Sequence, residues 1–470
     1  MRNLGWLTAG DLAAKAATFA AFAHLARVVG TGLFGDFGFA VALTLYFRLI
    51  VSQGLDVYGI QEAARDRTRV PAHSAHILGI RLVSSVAGAT ALLICIALID
   101  KAPHVKMLLL LCGPGLILEA LSMQWVFQAT EQMKRVAFAN VVGQMVFSAL
   151  ALFFINRASQ FLWIPVLQIC GELAAAAYIF FNYRRQFGPV RIAFDSRAWL
   201  GILKVSLPMG IASFLSLVMF NFDLVLMGFL RPAAEVGRYS AAYKIVGFFL
   251  SLVFLYNRNL FPSVSRCKGD PARLGRIAQR TQRYVLLLAL PLAAGGACLS
   301  GPLMRLTFGA EFGGGAAALA ILIWIVPFAS TRVLYRVTLV SHGFQNANLR
   351  VSFVAVVVNV LLNILLIPRF SLVGAAIASL SAEALLLCLT YEVTIRKVAP
   401  LPLAPFLWKP ALASLVMVVV VIGTAGFGIV VRIGIGILTY AAASAMLLTF
   451  QGAPGATKSA VSSGGEAPRD

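Results

Sequence analysis

Charge is scarce in this chain. Only 12% of its 470 residues are Asp, Glu, Lys or Arg, about half the share of an ordinary soluble domain, and the mean hydropathy is +0.87. That excludes a soluble enzyme. Histidine occurs five times, and the six cysteines (Cys95, Cys112, Cys170, Cys267, Cys298, Cys388) stand singly, with no C-x-x-C and no metal-type spacing. Neither a disulfide framework nor a metal centre is expected. There is also no Walker loop, no metal-ligand cluster and no catalytic triad, so the chain is expected to be no enzyme, to need no cofactor and to hydrolyse no nucleotide.

What the chain has instead is apolar length. Hydrophobic residues make up 60% of it, and a bilayer-spanning helix needs about 20 mostly apolar residues. Fourteen stretches qualify: 6–29, 37–60, 76–98, 107–128, 137–156, 160–182, 202–229, 237–261, 284–301, 316–340, 351–367, 371–395, 410–427 and 429–450. The fold class is therefore an all-α polytopic membrane protein of about 14 transmembrane helices. The first apolar run resembles a signal peptide, with Arg2 ahead of it, but it carries Asp11 and Lys15 and continues to Val29; it reads as an uncleaved first helix. The net charge of +21 reports topology. Counting alternate loops, one side receives 23 Lys and Arg and the other 7, which places both termini in the cytoplasm. The tail 451–470, rich in Gly, Ser, Ala and Pro, is expected to be disordered.

The chain also repeats itself. Phe34-Gly-Asp-Phe-Gly38 precedes a small-residue run, as Ala233-Ala-Glu-Val-Gly237 does, and Gly38 and Gly237 differ by 199 positions. Arg135-Val-Ala-Phe-Ala corresponds to Arg350-Val-Ser-Phe-Val at an offset of 215, and Glu172 to Glu383 at 211. An even number of helices per unit preserves orientation, so two parallel six-helix lobes are expected, helices 1–6 in residues 1–200 and helices 7–12 in 201–397, followed by helices 13–14 in 398–450. Such repeats are common in transporters.

Gly30-Thr-Gly-Leu-Phe-Gly35 matches the dinucleotide pattern G-x-G-x-x-G, but it joins two membrane helices and follows no strand. A tight turn, where Gly permits positive φ, is the expected role. Intramembrane charges carry more information, because each costs about 2.5–3.5 kcal/mol at mid-bilayer on insertion scales. Arg48, Glu119, Glu172, Asp223 and Glu383 fall near mid-depth, Lys15 and Lys244 about one third of the way in, and Asp11, Asp56, Arg81, Arg258, Arg332 and Arg336 nearer the helix ends. Asp11, Lys15 and Thr18 share one helix face, where Asp11 and Lys15 either satisfy each other or line a path. Arg48 has no acid within a turn of its own helix, so its partner comes from another helix, from water or from cargo. Arg332 and Arg336 repel unless an anion or an acid lies between them. Arg81, Arg258 and Arg336 are expected to snorkel. Lys15, Arg48, Lys244 and Arg332 are accordingly the candidate cargo-binding residues, since a cation-lined path suits an anion. Asp11, Glu172, Asp223 and Glu383 either lock this lattice or bind a coupling proton or sodium ion. Pro208, Pro291 and Pro327 are expected to kink their helices, and the basic loop 262–283 to rest on anionic headgroups.

Several segments resemble a known family. Ala26 to Gly38 (ARVVGTGLFGDFG) is similar to its A-R-x-x-G-x-x-x-F-G-x-[FY] junction, and Trp125 to Met133 (WVFQATEQM) to its W-x-[FY]-Q-[GA]-x-E segment. Val236 to Lys244 (VGRYSAAYK), Leu260-Phe261-Pro262, Phe308 to Phe312 (FGAEF) and Asn359 to Ser379 match equally well. The family is that of the bacterial polysaccharide (O-antigen and exopolysaccharide) flippases, in the multidrug/oligosaccharidyl-lipid/polysaccharide (MOP) exporter superfamily. The resemblance covers helices 1 to 12. It implies two lobes forming a V around a central cationic cavity, residence in the bacterial inner membrane, and passage of an undecaprenyl-diphosphate-linked oligosaccharide between leaflets by alternating access. Membrane lipids, a polysaccharide polymerase and a chain-length regulator are the implied partners, and nucleic acid is not. A cation-coupled multidrug exporter and a peptidoglycan-precursor flippase of the same superfamily are the alternatives, with a non-transport scaffold as the reading of a different class.

Overall fold

The computed structural model describes residues 2–257, 260–267 and 270–449. Among the described residues the chain is helical, with no strand. The helices are α1 (Arg2–Ser52), α2 (Leu55–Arg65), α3 (Val70–Leu98), α4 (Pro103–Cys112), α5 (Pro114–Ala120), α6 (Gln124–Ala129), α7 (Met133–Phe154), α8 (Trp163–Phe187) and α9 (Ser196–Leu230). They continue as α10 (Ala233–Asn257), α11 (Leu260–Ser265), α12 (Pro271–Cys298), α13 (Ser300–Phe308), α14 (Ala316–Leu322), α15 (Ile325–Ser341), α16 (Gln345–Lys397), α17 (Ala404–Gly423) and α18 (Ile429–Thr449). The tail 451–470 and Arg258 lie outside the described residues.

Two helices are too long to cross a membrane once. α1 has 51 residues and α16 has 53, or about 75–80 Å at 1.5 Å per residue, against about 30 Å of hydrocarbon. Each is broken in the middle, α1 at Gly30 (φ 78°, ψ 174°) and α16 at Ser371 (φ 51°, ψ −129°). Gly30 is the tight turn expected from its pattern. Ten helical stretches are long and apolar enough to cross, and the pair α12 and α13, bent by 81°, makes an eleventh. The breaks at Gly30 and Ser371 add two crossings and α10 completes fourteen, the number read from the sequence. Leu98, Phe153 and Leu438, exposed by 72–80%, lie on the outer faces of these helices, where lipid is their solvent.

Ser371 holds a backbone conformation that favours glycine, which costs about 1–3 kcal/mol. Its hydroxyl donates to the Glu235 carboxylate on α10, and that bond offsets the strain. Ser371→Ala keeps the strain and loses the bond, so it is expected to lower stability by about 1.5 kcal/mol or more. Ser371→Gly loses both and is expected to stay near wild type; thermal unfolding of the three proteins in one detergent gives the order.

The basic stretch 262–283 is not a loop throughout. α12 starts at Pro271, with the Asp270 side chain accepting from the Arg273 backbone N–H at 2.9 Å, an N-cap with proline in the first turn. Arg273, Arg276, Arg280 and Arg283 lie on its exposed face, and Leu274, Ala278 and Val285 on the buried one. Of the three prolines, Pro327 follows a break by one turn: the span is interrupted between α14 and α15, and Pro327 falls in the first turn of α15. Pro208 and Pro291 lie inside α9 and α12, which continue through them. Other breaks sit at Gly30, at Gly113 between α4 and α5, and at Ser371.

α1 is the central element, packing on α10, α7, α9 and α3, while α16 packs on α9 and α15, and α17 on α12 and α18. The two segments of the sequence repeat press together. A Cβ added at Gly35 would lie 2.7 Å from the Gly237 nitrogen, and one at Gly237 3.0 Å from the Gly35 nitrogen, so backbone meets backbone. At this end, called here the Gly30 end, Arg27 Nε donates to the Thr307 carbonyl at 3.0 Å and its Nη2 to that of Leu306. Lys101 Nζ donates to the Gly228 carbonyl at 2.6 Å. All three acceptors lie in the last turn of a helix, α13 or α9, where unsatisfied carbonyls concentrate negative partial charge. At the opposite, Gly54 end, a Cβ on Gly54 would meet the Gly210 nitrogen of α9 at 2.5 Å.

Candidate functional site

Two cavities that carry charged and polar side chains among apolar ones lie between the helices. The first, about 350 Å³, is lined by Thr18, Arg48, Glu119, Gln144, Gln168 and Glu172 among others. Arg48 leans on the backbone of α5, since a Cβ on Gly115 would fall 3.0 Å from its Cζ. Glu172 is brought in by close packing of α8 on α7, where a Cβ on Gly171 would stand 2.6 Å from the Gly143 carbonyl oxygen. Arg48 Nη2 then donates to both Glu172 carboxylate oxygens, at 2.8 and 3.0 Å. The partner that Arg48 lacks on its own helix is thus supplied by α8. Glu119 faces the same cavity.

The second cavity, about 270 Å³, lies between α1, α8, α9 and α10 and is lined by Phe22, Gln168, Asn221, Asp223, Tyr239 and Lys244 among others. Asp223 is 2% exposed. It accepts from the Tyr239 hydroxyl, from Ser379 Oγ at 2.9 Å and from the Leu224 backbone N–H at 2.7 Å. Lys244 Nζ stands 3.5 Å from the centre of the Phe22 ring, a cation–π contact, and among the described residues no carboxylate pairs with it. Gly38, whose added Cβ would touch Ser240 Oγ at 3.0 Å, lets α10 approach α1 closely enough to set Lys244 against Phe22.

The remaining candidates pair off. Lys15 and Asp11 stand 3.1 Å apart, and Arg332 Nε donates to Glu383 Oε1 at 2.6 Å. Of the four candidate cations, Lys244 is therefore the one without an ion pair among the described residues, and of the four candidate carboxylates Asp223 is the one held by hydroxyls rather than by a cation. Arg81 does not snorkel: its side chain is fully buried, 2.7 Å from Asp56, and donates to the Ser122 carbonyl at 2.8 Å. The alternative to lipid-facing charge is an ion pair, and Asp56, itself part-exposed, supplies it from α2. Arg336 is exposed. Tyr239, Ser379, Asn221 and Gln168 escape a reading that counts only ionisable groups; their signal is a polar side chain recurring within apolar spans.

This arrangement offers one unneutralised ammonium over an aromatic face, inside a polar space enclosed by helices. Such a site has the charge and shape to attract an anion. The sequence profile of the polysaccharide biosynthesis protein family matches residues 1–268, more than half of the chain, and that of the MatE family residues 208–365. A protein of Escherichia coli strain K12 described as an O-antigen transporter is 22% identical over 379 residues, 77% of this chain and 89% of the relative. In Haloferax volcanii, Agl15, described as a low-salt glycan biosynthesis flippase, is 26% identical over 159 residues. That match spans 33% of this chain and 34% of the relative, and the match to a second flippase, AglR, spans 39% of that relative. By fold, the chain is similar to the lipid II flippase MurJ in an inward closed conformation, with a TM-score of 0.77 and 14% identity, over 95% of this chain and 99% of that one. It is also similar to an inward-facing MATE family transporter, with a TM-score of 0.63 and 12% identity, over 82% and 96%. The chain belongs to the polysaccharide biosynthesis protein family, and the relatives and solved structures it is similar to are described as flippases and transporters.

Proposed function

We propose that this protein is a flippase that moves an undecaprenyl-diphosphate-linked oligosaccharide, an O-antigen or exopolysaccharide repeat unit, from the inner to the outer leaflet of the bacterial cytoplasmic membrane by alternating access. The observation that carries the reading is Lys244, a cation without an ion pair among the described residues in a polar cavity of about 270 Å³. A diphosphate compensates such a charge, the sugars take the polar lining, and the polyprenyl tail stays in lipid because neither half tolerates the other's solvent. The cation excess on one set of loops orients both termini and the Gly54 end toward the cytoplasm, so the Gly30 end faces outward. Residues 1–200 and 201–397 form the two rocking lobes of this cycle and residues 398–450 the appended pair. A polymerase and a chain-length regulator receive the product.

Lys15, Arg48 and Arg332 hold Asp11, Glu172 and Glu383 and reach cargo only by releasing them. Asp223 is the carboxylate we assign to coupling with a proton or sodium gradient. Asp223→Asn is expected to make flipping insensitive to collapse of that gradient while the protein stays inserted.

The test is deletion of the gene followed by mass spectrometry of extracted lipids, with an external probe to report the leaflet. One isoprenoid-diphosphate saccharide accumulating on the inner leaflet is the expected result. Lys244→Gln is expected to reproduce that accumulation at normal protein level, and Lys244→Arg to restore part of the flux. Normal surface polymer together with drug sensitivity in the deletion strain would overturn the reading in favour of the drug exporter, and loss of viability would favour the peptidoglycan-precursor flippase.

A further inference from the structure

Away from both polar cavities, α12, α17 and α18 enclose a space of another kind. Its volume is about 430 Å³ and its lining includes Leu288, Leu292, Leu299, Met417, Val421 and Ile437. Leu287 also lines a second pocket toward the Gly54 end, of about 140 Å³, that carries Arg283 and Lys409 beside Phe406 and Ser444, with no carboxylate in its lining. Lys409 donates one of its three N–H groups to the Leu447 carbonyl at 2.6 Å and keeps two. Arg283 ends the exposed row of arginines on α12.

An apolar space between helices loses dispersion contacts on every wall if it stays empty, and water gains nothing there because the walls offer few polar partners. Two cations at its mouth, without a carboxylate, call for an anion with several acceptor oxygens, which a phosphate supplies. An apolar channel headed by a phosphate site matches one molecule in both halves. We infer that this composite pocket holds a resident anionic phospholipid, its phosphate on Arg283 and Lys409 and one acyl chain along the channel, and that the lipid fastens α17 and α18 to α12. The protein's own links here include a hydrogen bond from the Tyr440 hydroxyl to the Leu287 carbonyl at 2.8 Å and the packing of α17 on α12. The occupant is not the transported lipid. None of the residues lining this channel or its mouth lines either polar cavity, so a phosphate bound here is remote from Lys244.

The experiment purifies the full chain in mild detergent, adds phosphatidylglycerol or phosphatidylcholine, and measures retained lipid by native mass spectrometry and unfolding temperature by scanning. Wild type is expected to retain one phosphatidylglycerol and to gain thermal stability from it, with no gain from phosphatidylcholine. Arg283→Gln with Lys409→Gln removes the charges, and Gly295→Leu fills the channel, where a new Cβ already comes within 3.4 Å of Met417 Cε. Each is expected to lose retention at least about tenfold, a difference of about 1.4 kcal/mol. Equal retention by wild type and both variants overturns the inference. So does displacement of phosphatidylglycerol from wild type by a polyprenyl diphosphate, which would give the channel to cargo. The transport reading stands or falls separately, on Lys244 and the accumulated saccharide.

Discussion

Gly35→Leu is expected to abolish flipping while leaving the protein folded and inserted. At this position a single added carbon already collides with the Ala233 carbonyl and lies 2.7 Å from the Gly237 nitrogen, and both are main-chain atoms that cannot rotate away. Overpacking of this kind costs about 1–3 kcal/mol where neighbours adjust. Charged against one conformation only, that cost shifts the balance of conformations by about 5- to 150-fold. The helices of each half keep their own contacts, so the cost falls on the arrangement in which α1 and α10 close the Gly30 end. A thiol placed at Thr31 and probed with a membrane-impermeant reagent reads the result. Labelling is expected to rise sharply in Gly35→Leu and in Gly237→Leu, and transport to fall with it. Unchanged labelling with normal flux would mean that this contact does not gate the pathway.

Glu383→Leu is expected to be the most destabilising single change among the charged residues. Glu383 is 1% exposed and Arg332 12% by side chain, so removing the acid strands a guanidinium in a low-dielectric interior, at a cost of about 3–5 kcal/mol. Removing both charges is different, because replacing a buried pair by apolar groups of similar volume is often neutral or stabilising by about 1–4 kcal/mol. Arg332→Met with Glu383→Leu is therefore expected to recover most of the lost stability. Chemical unfolding in detergent of the two single variants and the double variant closes the cycle. If the double variant recovers stability but not flux, the pair acts in transport as well as in structure; recovery of both assigns it to structure alone. A double variant as unstable as Glu383→Leu would contradict the pairing.

The sequence was legible where one residue's constraint decides the local structure. Gly30 stands in a glycine-rich junction between apolar runs, and a positive φ is what such a junction demands; Asp223 and Glu383 announce themselves as acids within apolar spans. What stayed hidden was pairing. Nothing in the offset of 124 residues between Arg48 and Glu172 ties them together, and the link depends on Gly143 and Gly171 letting two helices touch. Arg81 looked free to reach an interface because its distance from a helix end is visible in sequence and its contact with Asp56 is not. The early start of α12 was available, since Asp270-Pro271 is an N-cap signature, but a run of arginines outweighed it when hydropathy alone set the span. Lys244 was found by charge, whereas its freedom from an ion pair among the described residues follows from Phe22 taking the place where an acid could stand.

The contacts of Arg27 and Lys101 across the Gly30 end have a consequence for how this end responds to pH. Their acceptors are the carbonyls of Leu306, Thr307 and Gly228, which no physiological pH protonates. A contact built on carboxylates would loosen as the surrounding medium acidified. Helix ends as acceptors exempt these two contacts, so Arg27 and Lys101 hold their partners at any physiological pH.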